Sequence, residues 1–361
     1  MTGLPTDEVL VSIEGKVGRL RLNRPKAIHA LTLGMCEAMT EALLAWRADP
    51  AIELVMIDHA PSPDGDPKTS RGFCAGGDVR AICESGRGDG VAARHFFFTE
   101  YRLNHLLFVY AKPIVAFMDG ITMGGGVGIS QPARYRIATE RTRFAMPETG
   151  IGLFPDVGGG WYLSRLPGRV GAYLALTGGR LDGAECQALG LATHFMASEK
   201  LDELKAGLIA APGDAQALLE RAAETPPPAA IEARRGDVDR LFASETCEGV
   251  LAALAADGSE WAREQRAILA TKSPQACKVS LRIVLDGADT AFFAEEMARE
   301  YAVAARVCQR NDFIEGVRAL LVDKDNAPRW DPQTLEGVSD HMIDQIFAPM
   351  EAGEEWTPLA L

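Results

Sequence analysis

The chain has 361 residues, of which 47% are hydrophobic and 24% charged, and its formal net charge is −13. That composition is globular and long enough for one large domain or two medium ones. Its acidity excludes a general nucleic-acid binder, which needs basic surface against phosphate, but not a local Arg/Lys cluster that grips an anionic cofactor.

Val9 to Ile13 and Val17 to Leu22 read as two strands joined at Glu14-Gly15-Lys16, hence a hairpin. Thr32 is placed to cap a helix running to Trp46, with Leu33, Cys36, Met39 and Leu43 at helical spacing. Ile52 to Ile57 is a buried-strand signal, and a polar loop follows from Pro61 to Arg71. The same grammar then repeats: a helix over Val91 to Tyr110, a strand over Pro113 to Met118, a helix opened by Gly124-Gly125-Gly126, and a strand over Tyr135 to Thr139. Further helices begin over Gly158 to Gly171 and Gly183 to Leu191. Strands alternating with helices predict crossovers and a largely parallel sheet. After Phe195 the strand signal fades, Thr225 to Ala230 reads as a Pro-rich linker, and from Ile231 helical spacing dominates. The expected organisation is a catalytic core over 1–224 and a helical C-terminal region over 225–361.

Several chemistries drop out. There is no G-x-G-x-x-G fingerprint, Walker A loop, H-E-x-x-H or G-x-S-x-G elbow, and the six histidines do not pair at ligand spacing. No metal is expected. The seven cysteines are odd in number and show no C-x-x-C, which predicts free thiols in a reducing compartment. The stretch from Leu106 to Ile129 is apolar but interrupted by Lys112, Pro113, Asp119 and several glycines, so no membrane span is expected. Met1 to Glu8 carries neither a basic region nor an apolar signal core, and the expected location is cytoplasmic.

Two glycine-rich segments occupy equivalent places, each after a buried strand and before a helix: Phe73-Cys74-Ala75-Gly76-Gly77-Asp78 and Met123 to Gly128. Helix starts leave backbone N–H groups unpaired, and glycine lets a ligand approach them closely. Two such turns facing one point would hold a carbonyl oxygen that turns negative during reaction. Each segment alone is better served by a tight strand-to-helix turn, and the pair in matched positions reverses that. Together, Phe73 to Asp78, Asp119 to Gly126 and Leu22-Asn23-Arg24-Pro25-Lys26-Ala27 resemble the crotonase (enoyl-CoA hydratase/isomerase) superfamily. Within it, Met146 to Gly160, Leu176-Thr177-Gly178, Ala192 to Phe195 and Arg310 to Leu320 look most like the 3-hydroxyisobutyryl-CoA hydrolase subgroup, and the likeness covers roughly residues 8 to 345.

That resemblance implies an α/β crotonase-like core of repeated ββα units, with a helical C-terminal region that mediates a homo-oligomer. It implies an oxyanion hole from the N–H groups of Ala75 and Gly125, with Gly76, Gly77, Asp78 and Gly124 completing the substrate-binding turns. Arg24, Lys26 and Ala27 match the CoA-contacting stretch, and the substrate's own CoA moiety is the only cofactor implied. His29 departs from the family's usual asparagine.

The carboxylates decide between reactions. Hydratases use two glutamates; the first falls at Gly128 here, and the second matches Glu148. Asp156 stands where the hydrolases carry aspartate, so the pair is rebuilt as Glu148 and Asp156. Thioester hydrolysis needs attack on a carbonyl, by a carboxylate or by the water it activates, and a proton for the departing thiolate. Asp156 could equally cap the helix beginning near Gly158. Glu100, on the helix after Phe96-Phe97-Phe98-Thr99, matches a contact to the distal polar end of the substrate, and a solvated helix face explains it nearly as well. The reading is an acyl-CoA thioesterase. Its rivals are an enoyl-CoA enzyme using Glu148 alone and an inactive acyl-CoA-binding protein.

Overall fold

The structure is a computed structural model that describes residues 7–62 and 72–361. In chain order the strands and helices are β1 (Val9–Glu14), β2 (Val17–Leu22), α1 (Leu33–Ala48), β3 (Leu54–His59), α2 (Val79–Gly86), α3 (Val91–Phe108), β4 (Ile114–Met118), β5 (Ile121–Met123), α4 (Gly125–Ser130), β6 (Tyr135–Ala138) and β7 (Arg143–Ala145). There follow α5 (Gly159–Ser164), α6 (Val170–Thr177), α7 (Gly183–Ala188), β8 (His194–Phe195), α8 (Leu201–Ala210) and α9 (Ala215–Ala222). The rest is helical: α10 (Arg235–Leu241), α11 (Cys247–Asp257), α12 (Glu260–Leu269), α13 (Pro274–Ala288), α14 (Phe293–Val307), α15 (Asn311–Val317) and α16 (Asp340–Phe347).

The contacts divide the chain into two units. The first comprises Met1–Gly77, Leu103–Phe144 and Arg180–Glu232; the second comprises Asp78–Arg102, Ala145–Gly179 and Ala233–Leu361. This interleaving differs from the expected single cut after residue 224, because segments far apart in sequence pack within one unit.

The first unit is built on a six-stranded sheet in the order β1-β2-β3-β4-β6-β8, antiparallel at the β1–β2 hairpin and parallel thereafter. β4 is buried at every position, as a parallel strand covered on both faces must be. One face packs Val17, Leu54, Met56, Val115, Phe117 and Ile137 against Leu201, Leu204, Leu208 and Leu219 of α8 and α9. Thr32 caps α1 as the sequence predicts, its Oγ1 accepting the Met35 N–H at 3.3 Å.

The second unit is mostly helical, with a core in which Leu176, Phe242, Val250, Leu254 and Leu281 meet. The helix expected over Gly158 to Gly171 is two helices, α5 and α6, parted at Pro167-Gly168. Proline cannot donate within a helix, and the Arg169 N–H is taken up instead by Asp239 Oδ1 at 2.8 Å. The polar loop read over Pro61 to Arg71 lies almost wholly outside the described residues. Among those described, no helix is long and apolar enough to cross a membrane.

Candidate functional site

In the first unit the two glycine turns touch. Cys74 bridges Thr122 in parallel register; its N–H donates to Ile121 O and its carbonyl accepts from the Met123 N–H, both at 2.9 Å. A Cβ on Gly126 would sit 2.4 Å from the Cys74 carbonyl oxygen, so only glycine allows this approach. A Cβ on Gly76 would lie 3.9 Å from Gly125 N, which places that N–H, in the first turn of α4 and without an intrahelical partner, beside the first turn of chain. Ala75 differs from the expectation in one respect: its N–H donates to Ile28 O at 2.9 Å. An oxyanion would have to share that donor.

The stretch matched to CoA contact forms a 3-10 turn, Pro25–Ala27. Arg24 is engaged there with its own chain, its Nε 2.9 Å from Glu8 Oε1 and its guanidinium donating to Ala30 O at 2.6 Å. Lys26 is exposed. Ile28 and His29 follow in the left-handed region, at φ 48° and 55°, a strained pair for non-glycine residues. His29 is buried, its Nδ1 accepts the Arg24 N–H at 3.0 Å, and burial with the neighbouring His59 ring pushes its pKa down to about 3. The departure from asparagine therefore supplies a neutral acceptor that ties the loop to itself.

In the second unit the carboxyl groups gather. Glu148 opens a 3-10 turn over Glu148–Ile151, and its side chain is 5% exposed. Its Oε2 has no hydrogen-bond partner among the described residues. Burial, then the charge of Asp156, raises its pKa well above the usual carboxylate range, while Lys272 pulls the other way. Asp156 is also 5% exposed. Burial lifts its pKa to about 6 against the Tyr101 hydroxyl, which donates to Oδ2 at 2.8 Å. Glu100, one residue before Tyr101 on α3, is 2% exposed with an unpartnered Oε1, and burial followed by the Asp156 charge raises its pKa strongly. A solvated helix face does not describe it.

Nor does the Asp156 side chain cap α5. The N-cap is Gly158, and the orphan N–H groups of Gly158 and Gly160 are taken by the Glu300 carboxylate of α14, at 2.7 and 3.1 Å. Tyr101, Lys272 and Glu300 were not singled out from the sequence, where nothing local marks them. Asp78, by contrast, is the N-cap of α2, with no side-chain capping bond. Among the described residues no group of three or more His, Cys, Asp or Glu is arranged to hold a metal ion.

The buried acid pair of the second unit and the glycine turns of the first, which leave main-chain donors accessible, are each suited to acyl-thioester chemistry. The family model for enoyl-CoA hydratase/isomerase matches residues 17–347. This chain belongs to the enoyl-CoA hydratase/isomerase family. Within that family it is 42% identical over 360 residues to a mitochondrial 3-hydroxyisobutyryl-CoA hydrolase of Danio rerio, covering 97% of this chain and 92% of that protein. It is 40% identical over 362 residues to 3-hydroxyisobutyryl-CoA hydrolase 1 of Arabidopsis thaliana, covering 96% and 93%. Among solved structures, a carnitinyl-CoA dehydratase from Mycobacterium thermoresistibile is similar with a TM-score of 0.91 and 41% identity, over 98% of this chain and 99% of that one. The enoyl-CoA hydratase/isomerase fold inferred from the sequence is thus present along nearly the whole length.

Proposed function

We propose that this protein hydrolyses the thioester of a short 3-hydroxyacyl-CoA, with 3-hydroxyisobutyryl-CoA, an intermediate of valine degradation, as the favoured substrate. The observation that carries this reading is the buried pair Glu148 and Asp156, combined with Gly128 where a hydratase needs its other glutamate. The names of its full-length relatives from fish and plant point the same way.

Two like charges brought close in a dry site hold a proton between them near neutrality. In the reaction, that proton passes from Glu148, where burial favours it, to Asp156, and the freed Glu148 carboxylate attacks the acyl carbon. The C–S bond breaks, the thiolate of CoA takes the proton, and a mixed anhydride remains on Glu148. Water then adds to the anhydride, Asp156 accepts its proton, and Glu148 leaves as carboxylate. The developing oxyanion is held by the Gly125 N–H and by a three-centre bond from Ala75, each donor being worth about 3 kcal/mol in systems of this kind. Glu100, kept neutral by burial, donates to the substrate's hydroxyl. Lys26 and the 24–27 turn contact the CoA moiety, and the protein works as a homo-oligomer. The seven free, buried cysteines suit a reducing compartment, and we place the protein in the cytoplasm.

A second reading, hydration of an enoyl-CoA, draws on the likeness to the carnitinyl-CoA dehydratase. One assay separates them. Purified protein is given 3-hydroxyisobutyryl-CoA, 3-hydroxypropionyl-CoA and crotonyl-CoA, and both free thiol and enoyl absorbance are followed. Release of CoA from the hydroxyacyl esters, abolished by Glu148→Gln and by Asp156→Asn, supports the thioesterase. Loss of enoyl absorbance with no thiol release would sink it. A silent acyl-CoA-binding protein would show binding with neither signal.

A further inference from the structure

The turn that carries Asp156 is held in a shape it would not adopt alone. Val157 has φ 54° and Gly158 φ 91°, and a β-branched residue in the left-handed region is a backbone outlier. Glu300 bridges the far side of that turn through the Gly158 and Gly160 N–H groups, with its side chain wholly buried. α14 can press this close because side chains are missing from the turn. A Cβ on Gly160 would fall 2.0 Å from Glu296 Oε1 and 2.8 Å from Ile283, and one on Gly158 would meet the Phe293 ring at 2.9 Å. The hydroxyl of the fully buried Tyr101 donates to one oxygen of Asp156.

We propose that Tyr101 and Glu300 are positioning residues for the thioesterase reaction, Glu300 setting the backbone of the Asp156 turn and Tyr101 setting the carboxylate upon it. The inference rests on the reading of Asp156 as proton carrier. A helix start can be capped by a neutral Ser or Asn from its own loop. Burying a carboxylate in its place is costly, the more so next to Asp156 and Glu296, and a group with only a packing role has no need of that cost. Both Glu300 oxygens accept N–H groups, which favour its charged form, while burial and then the Glu296 and Asp156 charges raise its pKa well above the usual carboxylate range. With Oδ2 bound to Tyr101, Asp156 is left to exchange its proton through Oδ1.

The two residues act on Asp156 in opposite senses. Asp156 faces Glu100 and Tyr101 from α3, Glu148 from its 3-10 turn, and Glu300 from α14, behind which lie Glu296 and its partner Arg299. The Tyr101 hydroxyl favours the charged form of Asp156, whereas Asp156 and Glu300 disfavour each other's charge.

The test compares Tyr101→Phe and Glu300→Gln with wild type, measuring thiol release from 3-hydroxyisobutyryl-CoA across pH, with melting curves to confirm folding. Tyr101→Phe should lower kcat about tenfold and move the Asp156-dependent limb of the profile up by about one pH unit. Glu300→Gln should cost on the order of 100-fold in kcat, with KM little changed, and move that limb down. Limbs that stay in place, or that move the same way, overturn the proposal. Should Glu300→Gln fail to fold, Tyr101→Phe decides alone, since an unmoved limb there refutes the idea. If Asp156→Asn itself retains full turnover, the proton-carrier reading falls and takes this one with it. If Asp156→Asn is dead but the positioning variants behave as wild type, only this inference fails.

Discussion

Replacing Asp156 by asparagine should stabilise the protein at alkaline pH while destroying its turnover. The reason lies in burial: the folded protein raises the carboxyl's pKa from 3.8 to about 6. The native state therefore holds this proton more tightly than the unfolded chain. Stability from that source is fully present below pH 4 and is lost as pH rises through about 6. A shift of about two units corresponds to about 3 kcal/mol at pH 8, and to roughly half of that at pH 5. Asparagine keeps the shape and can still accept the Tyr101 hydroxyl, so little is lost in exchange. For a chain of this size the gain is a rise in Tm of about 4 °C at pH 8, narrowing as the pH falls. Scanning calorimetry or dye-monitored melting of both proteins at pH 5, 6.5 and 8 reads this directly. A variant that melts lower than wild type at pH 8, or an advantage that does not shrink toward pH 5, would refute the argument that the site stores an unfavourable charge.

Three other outcomes follow from the geometry. Glu148→Gln should lower thiol release by about a thousandfold or more while leaving CoA binding by calorimetry within about twofold of wild type, because it removes the attacking group and not a contact to the cofactor. Gly126→Ala should destabilise by about 2 kcal/mol or more, seen as a lower denaturation midpoint, because its Cβ meets the Cys74 carbonyl at 2.4 Å and two backbone segments must part. Asp58→Asn should cost about 3–5 kcal/mol, since it strands Arg19 at 2.6 Å and Lys205 at 3.0 Å from a buried position. Burial opposes the Asp58 charge, but the Arg19 hydrogen bonds and Lys205 outweigh it and hold its pKa low, so the stability it lends is present above pH 4 and disappears as acid protonates it.

Much of the fold was legible because its signals are local. The hairpin, the Thr32 cap and the alternation of strands with helices are periodicities and caps within short windows, and they appear within a few residues of where the sequence puts them. Glu148 and Asp156 were singled out because one short loop holds both. The supporting groups were not, because their partners are remote. Glu300 sits in Ala294-Glu295-Glu296-Met297-Ala298-Arg299-Glu300, a charged pattern that usually means a solvated helix face, and only packing against Gly158 and Gly160 reveals it as buried. Tyr101 reads as one more aromatic in an apolar helix. Arg24 shows the same limit from the other side: a cation in a motif invites a phosphate, and the sequence does not show that its guanidinium is also bound to Glu8 and Ala30. The cut expected at residue 224 followed the Pro-rich stretch, whereas packing sorts five chain crossings between two units that composition does not mark.

The hidden cysteines have a practical corollary. All seven thiols are buried, and burial raises the pKa of Cys186, Cys247, Cys277 and Cys308, so the reactive thiolate is scarce while the chain is folded. A disulfide reagent that counts liberated coenzyme will thus read a quiet baseline from the native enzyme. The same reagent in denaturant becomes a stoichiometric gauge of how many molecules have opened, with no label added.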